Sequence, residues 1–191
     1  MIDLEREKSN FRNHVATFTD YGNIKILDFK RPYSNEYRIR FLFEEDYYRL
    51  HISGDLGELT ATNYKNMTYE GFSDYVDNTG YFKGKIDCMN RSLYYWDEDK
   101  AKNDLWATLE EAGIDLGMED EVDDILWHFD IDSGLTEEGV EKLEEFVPDC
   151  WELAEEIGRE ETGVIELYML AFKLAKAQIE EREKKANGKG K

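Results

Sequence analysis

Proline and cysteine are scarce, with two of each in 191 residues. So few prolines exclude a proline-rich linker or a collagen-like chain. Cys88 and Cys150 lie far apart, with no C-x-x-C and no histidine-rich partner, so neither a zinc motif nor a disulfide framework is indicated. The three histidines are His14, His51 and His128. His128-Phe129-Asp130 matches the first two ligands of a facial-triad iron site, but the required distal histidine does not follow it. His128 reads instead as a helix-end residue favoured by the negative end of the dipole. No apolar run approaches the ~20 residues of a membrane span. The first eight residues, from Met1 to Lys8, are charged and lack the apolar segment of a signal peptide. The expectation is a cytoplasmic protein, no membrane association and two free thiols.

Reaction centres are missing too. No G-x-S-x-G, H-E-x-x-H or G-x-G-x-x-G occurs. The stretch from Gly80 to Ile86 resembles a phosphate loop, but it is one residue too short between glycines and lacks the hydroxyl that would hold magnesium. Asp130-Ile131-Asp132-Ser133-Gly134 begins like a calcium loop, yet its glycine falls at position five instead of six. Carboxylates are so abundant that two close together carry no information about acid–base work. The expectation is no enzyme, no cofactor and no bound metal.

What the chain does have is negative charge. Lys and Arg number 24 against 44 Asp and Glu, a net charge of −20. Aromatics make up 14% of residues, far more than an acidic disordered chain carries, so a folded core is expected. The charge is uneven. Residues 1–90 hold 12 basic and 15 acidic side chains, 91–170 hold 5 and 26, and 171–191 hold 7 and 3. A block at −21 repels nucleic acid and attracts basic protein grooves, with affinities that fall as salt rises. A solubilising shell accounts for such charge as well.

Periodicity divides the chain similarly. After a polar helix over 2–14, β-rich runs are predicted at 24–30, 37–43, 47–53 and 58–64. Short turns separate them, which favours an antiparallel meander. Residues 72–76 read as a helical turn and Leu93-Tyr94-Tyr95-Trp96 as a strand. Beyond Trp96 the period becomes helical. One stripe is Ala101, Leu105, Leu109 and Ala112; a second is Val122, Ile125, Leu126 and Phe129. A third is Val140, Leu143 and Val147, capped by Thr136. The fourth is Cys150, Leu153, Ala154 and Ile157, with Pro148 at the first helical position. Residues 164–179, apolar around much of the circumference, are expected to form the most buried helix. The fold class is α+β: an N-terminal antiparallel β-meander followed by an acidic helical half. Its expected divisions are 1–95, a sheet region with a short N-terminal helix; 96–186, an acidic helical region packed on it; and 187–191, a disordered tail.

The Ser53-Gly54-Asp55-Leu56-Gly57 turn, the Gly80-Tyr81-Phe82 segment with Lys85-Ile86, and Trp96-Asp97 opening a helix resemble a group of small accessory proteins encoded by phages and bacterial mobile elements. The resemblance covers residues 37–112. It implies an anti-defence role akin to anti-CRISPR or anti-restriction inhibitors, which commonly fill a nuclease's nucleic-acid groove with carboxylates in place of phosphates. It supplies no catalytic residues.

The leading expectation is an inhibitor of a host nuclease, a CRISPR effector first among them, acting in the bacterial cytoplasm. Its partner-binding residues are Asp97, Glu98, Asp99, Asp104, Glu110 and Glu111 on one helix and Glu119, Asp120, Glu121, Asp123 and Asp124 on the helix at 119–128. A second reading is a protein–protein adaptor docking through an exposed surface at Tyr94, Tyr95 and Trp96. A third is a single-strand nucleic-acid platform, with Arg38, Arg40, Arg49, His51 and Tyr47 on one sheet face. The chain's own negative charge opposes that binding. Homodimerisation through the helix at 164–179 stays open.

Overall fold

Period-two alternation builds a six-stranded antiparallel sheet in the computed structural model of the chain, which describes residues 3–114 and 119–188. The strands are β1 (Val15–Asp20), β2 (Ile24–Lys30), β3 (Ile39–Glu44), β4 (Arg49–Gly54), β5 (Gly57–Thr62) and β6 (Ile86–Met89), and each pairs with the next in sequence. The expected α+β class, with its N-terminal meander, is what the chain adopts. Helix α1 (Leu4–Phe11) precedes the sheet, with Asp3 accepting from the Glu5 and Arg6 amides at its N-cap. Between β5 and β6 lie two short helices, α2 (Ser73–Val76) and α3 (Thr79–Lys83). The Gly80 segment is therefore a helix capped by Asn78, whose side chain accepts from the Tyr81 amide.

Strand β1 was not expected. It is an edge strand whose outer residues are half-exposed on both faces, so its alternation is weak. The β4–β5 hairpin follows from Gly54, which pairs with Gly57. A Cβ at Gly54 would lie 1.9 Å from the Arg38 carbonyl oxygen, so only glycine allows that approach.

The chain divides into two compact units. One contains the residues up to Ser92 and those from Gly163 onward; the other is Leu93–Thr162, inserted in sequence between them. The expected helical half, 96–186, is thus split. The long helix α8 (Val164–Gly188) belongs with the sheet, because its apolar circumference fills one sheet face. Its Phe172 ring meets Phe72 at 4.8 Å and Phe41 at 5.5 Å between centroids, both edge to face. Phe43, Phe82, Leu27 and Ile52 complete a core that is at most 1% exposed. Farther along α8, Gln178 accepts from the Ala16 amide and donates to the His14 carbonyl, while Arg182 donates to the Ala16 carbonyl at 2.7 Å. These contacts satisfy the outward amide and carbonyl of Ala16 on the edge of β1, groups that would otherwise be open to another strand. Of the expected tail, residues 187 and 188 continue the backbone of α8, and 189–191 lie outside the described residues.

The inserted unit opens and closes on a two-stranded ribbon. Strand β7 (Tyr94–Trp96) pairs antiparallel with β10 (Arg159–Glu161). Between them come α4 (Glu98–Glu111), α5 (Glu119–Leu126), the hairpin strands β8 (Phe129–Asp130) and β9 (Gly134–Leu135), α6 (Glu137–Glu144) and α7 (Trp151–Ala154). Ala101, Leu105, Leu109, Val122, Ile125, Leu143, Cys150, Ala154 and Ile157 form its core, mostly the predicted stripes. Pro148 does not start a helix, because Asp149 takes a left-handed conformation (φ 59°) and delays α7 to Trp151. The Asp130–Gly134 segment is a hairpin turn, with Asp130 accepting from the Asp132 amide.

Candidate partner-binding surface

The charge boundary coincides with the structural one. Residues 93–162 hold 25 acidic and 4 basic side chains, net −21, while the rest of the chain holds 19 and 20, net +1. All four cations of the inserted unit are consumed within it. Lys100 pairs with Asp104, Lys102 with Asp123 at 2.8 Å, Lys142 with Asp124, and Arg159 with Glu156.

These pairs sort the eleven expected residues into two kinds. Asp97 caps α4, its Oδ1 accepting from the Lys100 amide at 2.8 Å. Asp104 is half-buried, and beyond the Lys100 pair it accepts from the Gly158 amide at 2.9 Å, fastening α4 to the chain before β10. Asp123 and Asp124 join α5 to α4 and α6 through Lys102 and Lys142; the carboxylates hold both lysine pKa values above the ordinary range. These four residues hold the unit together. Glu98, Asp99, Glu110, Glu111, Glu119, Asp120 and Glu121 form no ion pair among the described residues and point outward, Glu121 half-buried and the others exposed.

Helix energetics sort the seven further. Glu98 and Asp99 open α4, and Glu119, Asp120 and Glu121 open α5, where the helix dipole favours negative charge. Glu110 and Glu111 sit in the last turn of α4, where it is disfavoured, and no basic residue answers them there. A local rule broken without internal compensation is characteristic of positions kept for a purpose other than stability.

The aromatic surface lies elsewhere than expected. Of Tyr94, Tyr95 and Trp96, only Tyr95 is exposed. Tyr94 stacks under the Arg159 guanidinium at 4.4 Å, and the Trp96 indole lies against Gly134. The exposed tryptophans are Trp127 at 85% and Trp151 at 59%. Both fall outside the apolar stripes of their segments, and that was the available signal. Exposed carboxylates Glu141 and Glu144 on α6, and Glu145 at its C-cap, add to the acidic surface and were not among the expected residues.

On the open sheet face Arg40, Arg49 and His51 of the third reading each lie near a carboxylate. Arg40 makes a two-pronged bond to Asp28 at 2.7 and 2.9 Å. Arg49 lies 3.6 Å from Glu44, and His51 bridges Glu44 at 3.2 Å and Thr60 at 3.1 Å. Arg38 precedes β3, outside the strand, and Tyr47 lies in the β3–β4 turn. The Glu44–His51–Thr60 chain follows a carboxylate–imidazole–hydroxyl order, but its members are neighbours across β3, β4 and β5, as expected of cross-strand polar pairs.

Among the described residues no group of three His, Cys, Asp or Glu side chains could hold a metal ion. Cys88 is exposed, Cys150 is buried, and both are free. No helix among the described residues is long and apolar enough to cross a membrane. Comparison with family models, curated proteins and solved structures finds no match.

Proposed function

We propose that the protein inhibits a nuclease by inserting its 93–162 unit into the nuclease's basic nucleic-acid groove. The observation that carries this reading is the confinement of net charge to one structural unit, all of whose cations are already paired. Its uncompensated carboxylates attract Lys and Arg over distances set by the Debye length, about 8 Å at physiological salt. Trp127 and Trp151 add apolar anchors of the type that dominate protein interfaces, and arginine stacks on such rings. The likeness to phage and mobile-element accessory proteins directs the reading to bacterial defence nucleases, CRISPR effectors first, and implies action in the bacterial cytoplasm.

The tryptophans favour a second reading, an adaptor held by aromatic anchors in place of charge. A pull-down of the tagged chain from lysate containing guide-loaded CRISPR nuclease, at low and high salt with DNA as competitor, separates the two. The inhibitor retains the nuclease at low salt and loses it to DNA. Retention of another protein that survives high salt replaces that reading with the adaptor.

A further inference from the structure

Within the sheet unit, the β3–β4 turn, the residues after β5 and the start of β6 border an open surface cleft of about 480 Å³. That volume lies within the range of small-ligand sites. Backbone bonds fix its frame: the Thr62 amide donates to the Lys85 carbonyl at 3.0 Å and the Asn63 amide to the Tyr48 carbonyl at 3.1 Å. Arg49 and Lys85 bring positive charge to the walls. Lys85 forms no ion pair among the described residues, and its ammonium sits 4.6 Å from the centroid of the Tyr81 ring. Arg49 has the long contact to Glu44 and lies 5.9 Å from the centroid of the Tyr47 ring. Tyr47 is 69% exposed and Tyr64 97%, so the Tyr64 ring leaves both faces open. Asn63 anchors that residue, its Oδ1 accepting from the Tyr64 amide at 2.9 Å. One carboxylate also lines the pocket: Asp87 accepts from the Thr62 hydroxyl at 3.1 Å through one oxygen, and its other oxygen can accept from a ligand.

We propose that this pocket binds a nucleoside phosphate. Open tyrosine faces stack a base, and Arg49 and Lys85 hold the phosphate. Asp87 selects among such ligands. Its repulsion weakens the hold of the two cations on a bare phosphate, whereas a base bearing an exocyclic amine donates to it and adds affinity. Carboxylates accept from the cytosine amine in the same way, and uracil has no such donor. The site belongs to the unit with net charge +1. The inference is independent of the acidic-surface reading. The same chemistry can come from a free nucleotide or from a nucleotide within a strand.

Titration calorimetry of the full chain with CMP, UMP, inorganic phosphate and an eight-residue oligocytidylate tests the proposal. CMP is expected to bind with a submillimolar Kd, UMP at least about fivefold more weakly, and phosphate alone not measurably. An oligocytidylate tighter than CMP identifies a strand as the source; equal affinity identifies the free nucleotide. Tyr64→Ala and Lys85→Ala each weaken CMP about fivefold or more, and Asp87→Asn removes the preference for CMP over UMP. Arg40→Gln, outside the pocket, leaves binding unchanged. Backbone amide shifts in the wild-type chain give a readout free of mutation, and they should cluster at 47–49, 62–64 and 84–87. No CMP binding at millimolar concentration, or binding that Tyr64→Ala and Lys85→Ala both leave intact, overturns the proposal.

Discussion

The two units of this chain treat charge in opposite ways. In the sheet unit acidic and basic residues nearly balance, 19 against 20, and cations such as Lys25, Arg40 and Lys176 answer Glu45, Asp28 and Glu70. Its core is aromatic: Phe72 and Phe172 meet each other edge to face, and each also packs against Phe41 and Phe43. The inserted unit relies on a smaller aliphatic core and carries six times as many acidic as basic residues, 25 against 4. Self-repulsion works against its compactness. Stability would be served by spreading that charge over the whole molecule. Its concentration on one unit is therefore the feature a functional account must explain, and attraction to a basic partner does so.

The largest effect expected on this comparison comes from the aromatic core. Phe172→Ala removes the ring shared by Phe41, Phe43, Tyr69 and Phe72 and should cost about 3–5 kcal/mol. Urea unfolding followed by near-ultraviolet circular dichroism measures it, and a loss below about 1 kcal/mol would deny that ring its central place. In the inserted unit the corresponding point is Gly158. Its φ is +72°, and a Cβ there would meet Ala101 Cβ and the Phe129 ring at 2.8 Å. Gly158→Ala should cost about 1–3 kcal/mol, because left-handed strain adds to overpacking.

A pH dependence should belong to the sheet unit. His14 is 3% exposed, and burial lowers its pKa against the opposing pull of the Tyr37 carbonyl and Glu36; Arg31 lowers it further. The folded state therefore prefers neutral imidazole. The associated stability is complete above the unfolded pKa of about 6.5 and declines as pH falls toward the native-state value, by at most about 1.4 kcal/mol per pH unit. Comparing urea midpoints for the wild type and His14→Gln isolates this slope, which should be shallower in the variant. The smallest effect concerns Glu110 and Glu111. Replacing either with Lys should raise the melting stability of the inserted unit by about 0.3–1 kcal/mol through the helix dipole. A destabilisation by thermal melting would mean those carboxylates serve the fold.

Much of this fold could be read in the residues. Strand β2 occupies 24–30 as expected, with Leu27 and Phe29 buried on one face, and the Ala101–Leu105–Leu109 stripe defines α4. Where both faces of an element are partly wet, as in β1, alternation fades and the strand goes unseen. The 164–179 segment was recognisable as buried, but periodicity says nothing of which unit buries it. For the candidate surface, residue type revealed the density of carboxylate. It could not distinguish Asp104, which holds the Gly158 amide 54 positions away, from Glu111, which forms no ion pair among the described residues, since that difference arises only when distant segments meet.

The most direct test of the acidic-surface account is DNA cleavage by guide-loaded CRISPR nucleases titrated with the full chain and with a variant carrying Glu110→Gln, Glu111→Gln, Glu119→Gln, Asp120→Asn and Glu121→Gln. None of these five forms an ion pair among the described residues, so unfolding midpoints should match the wild type within about 0.5 kcal/mol. Suppression of cleavage by the wild type, relieved by added salt or excess DNA and lost in the variant, is the result the account expects. Equal suppression by both proteins, or none by either, would contradict it.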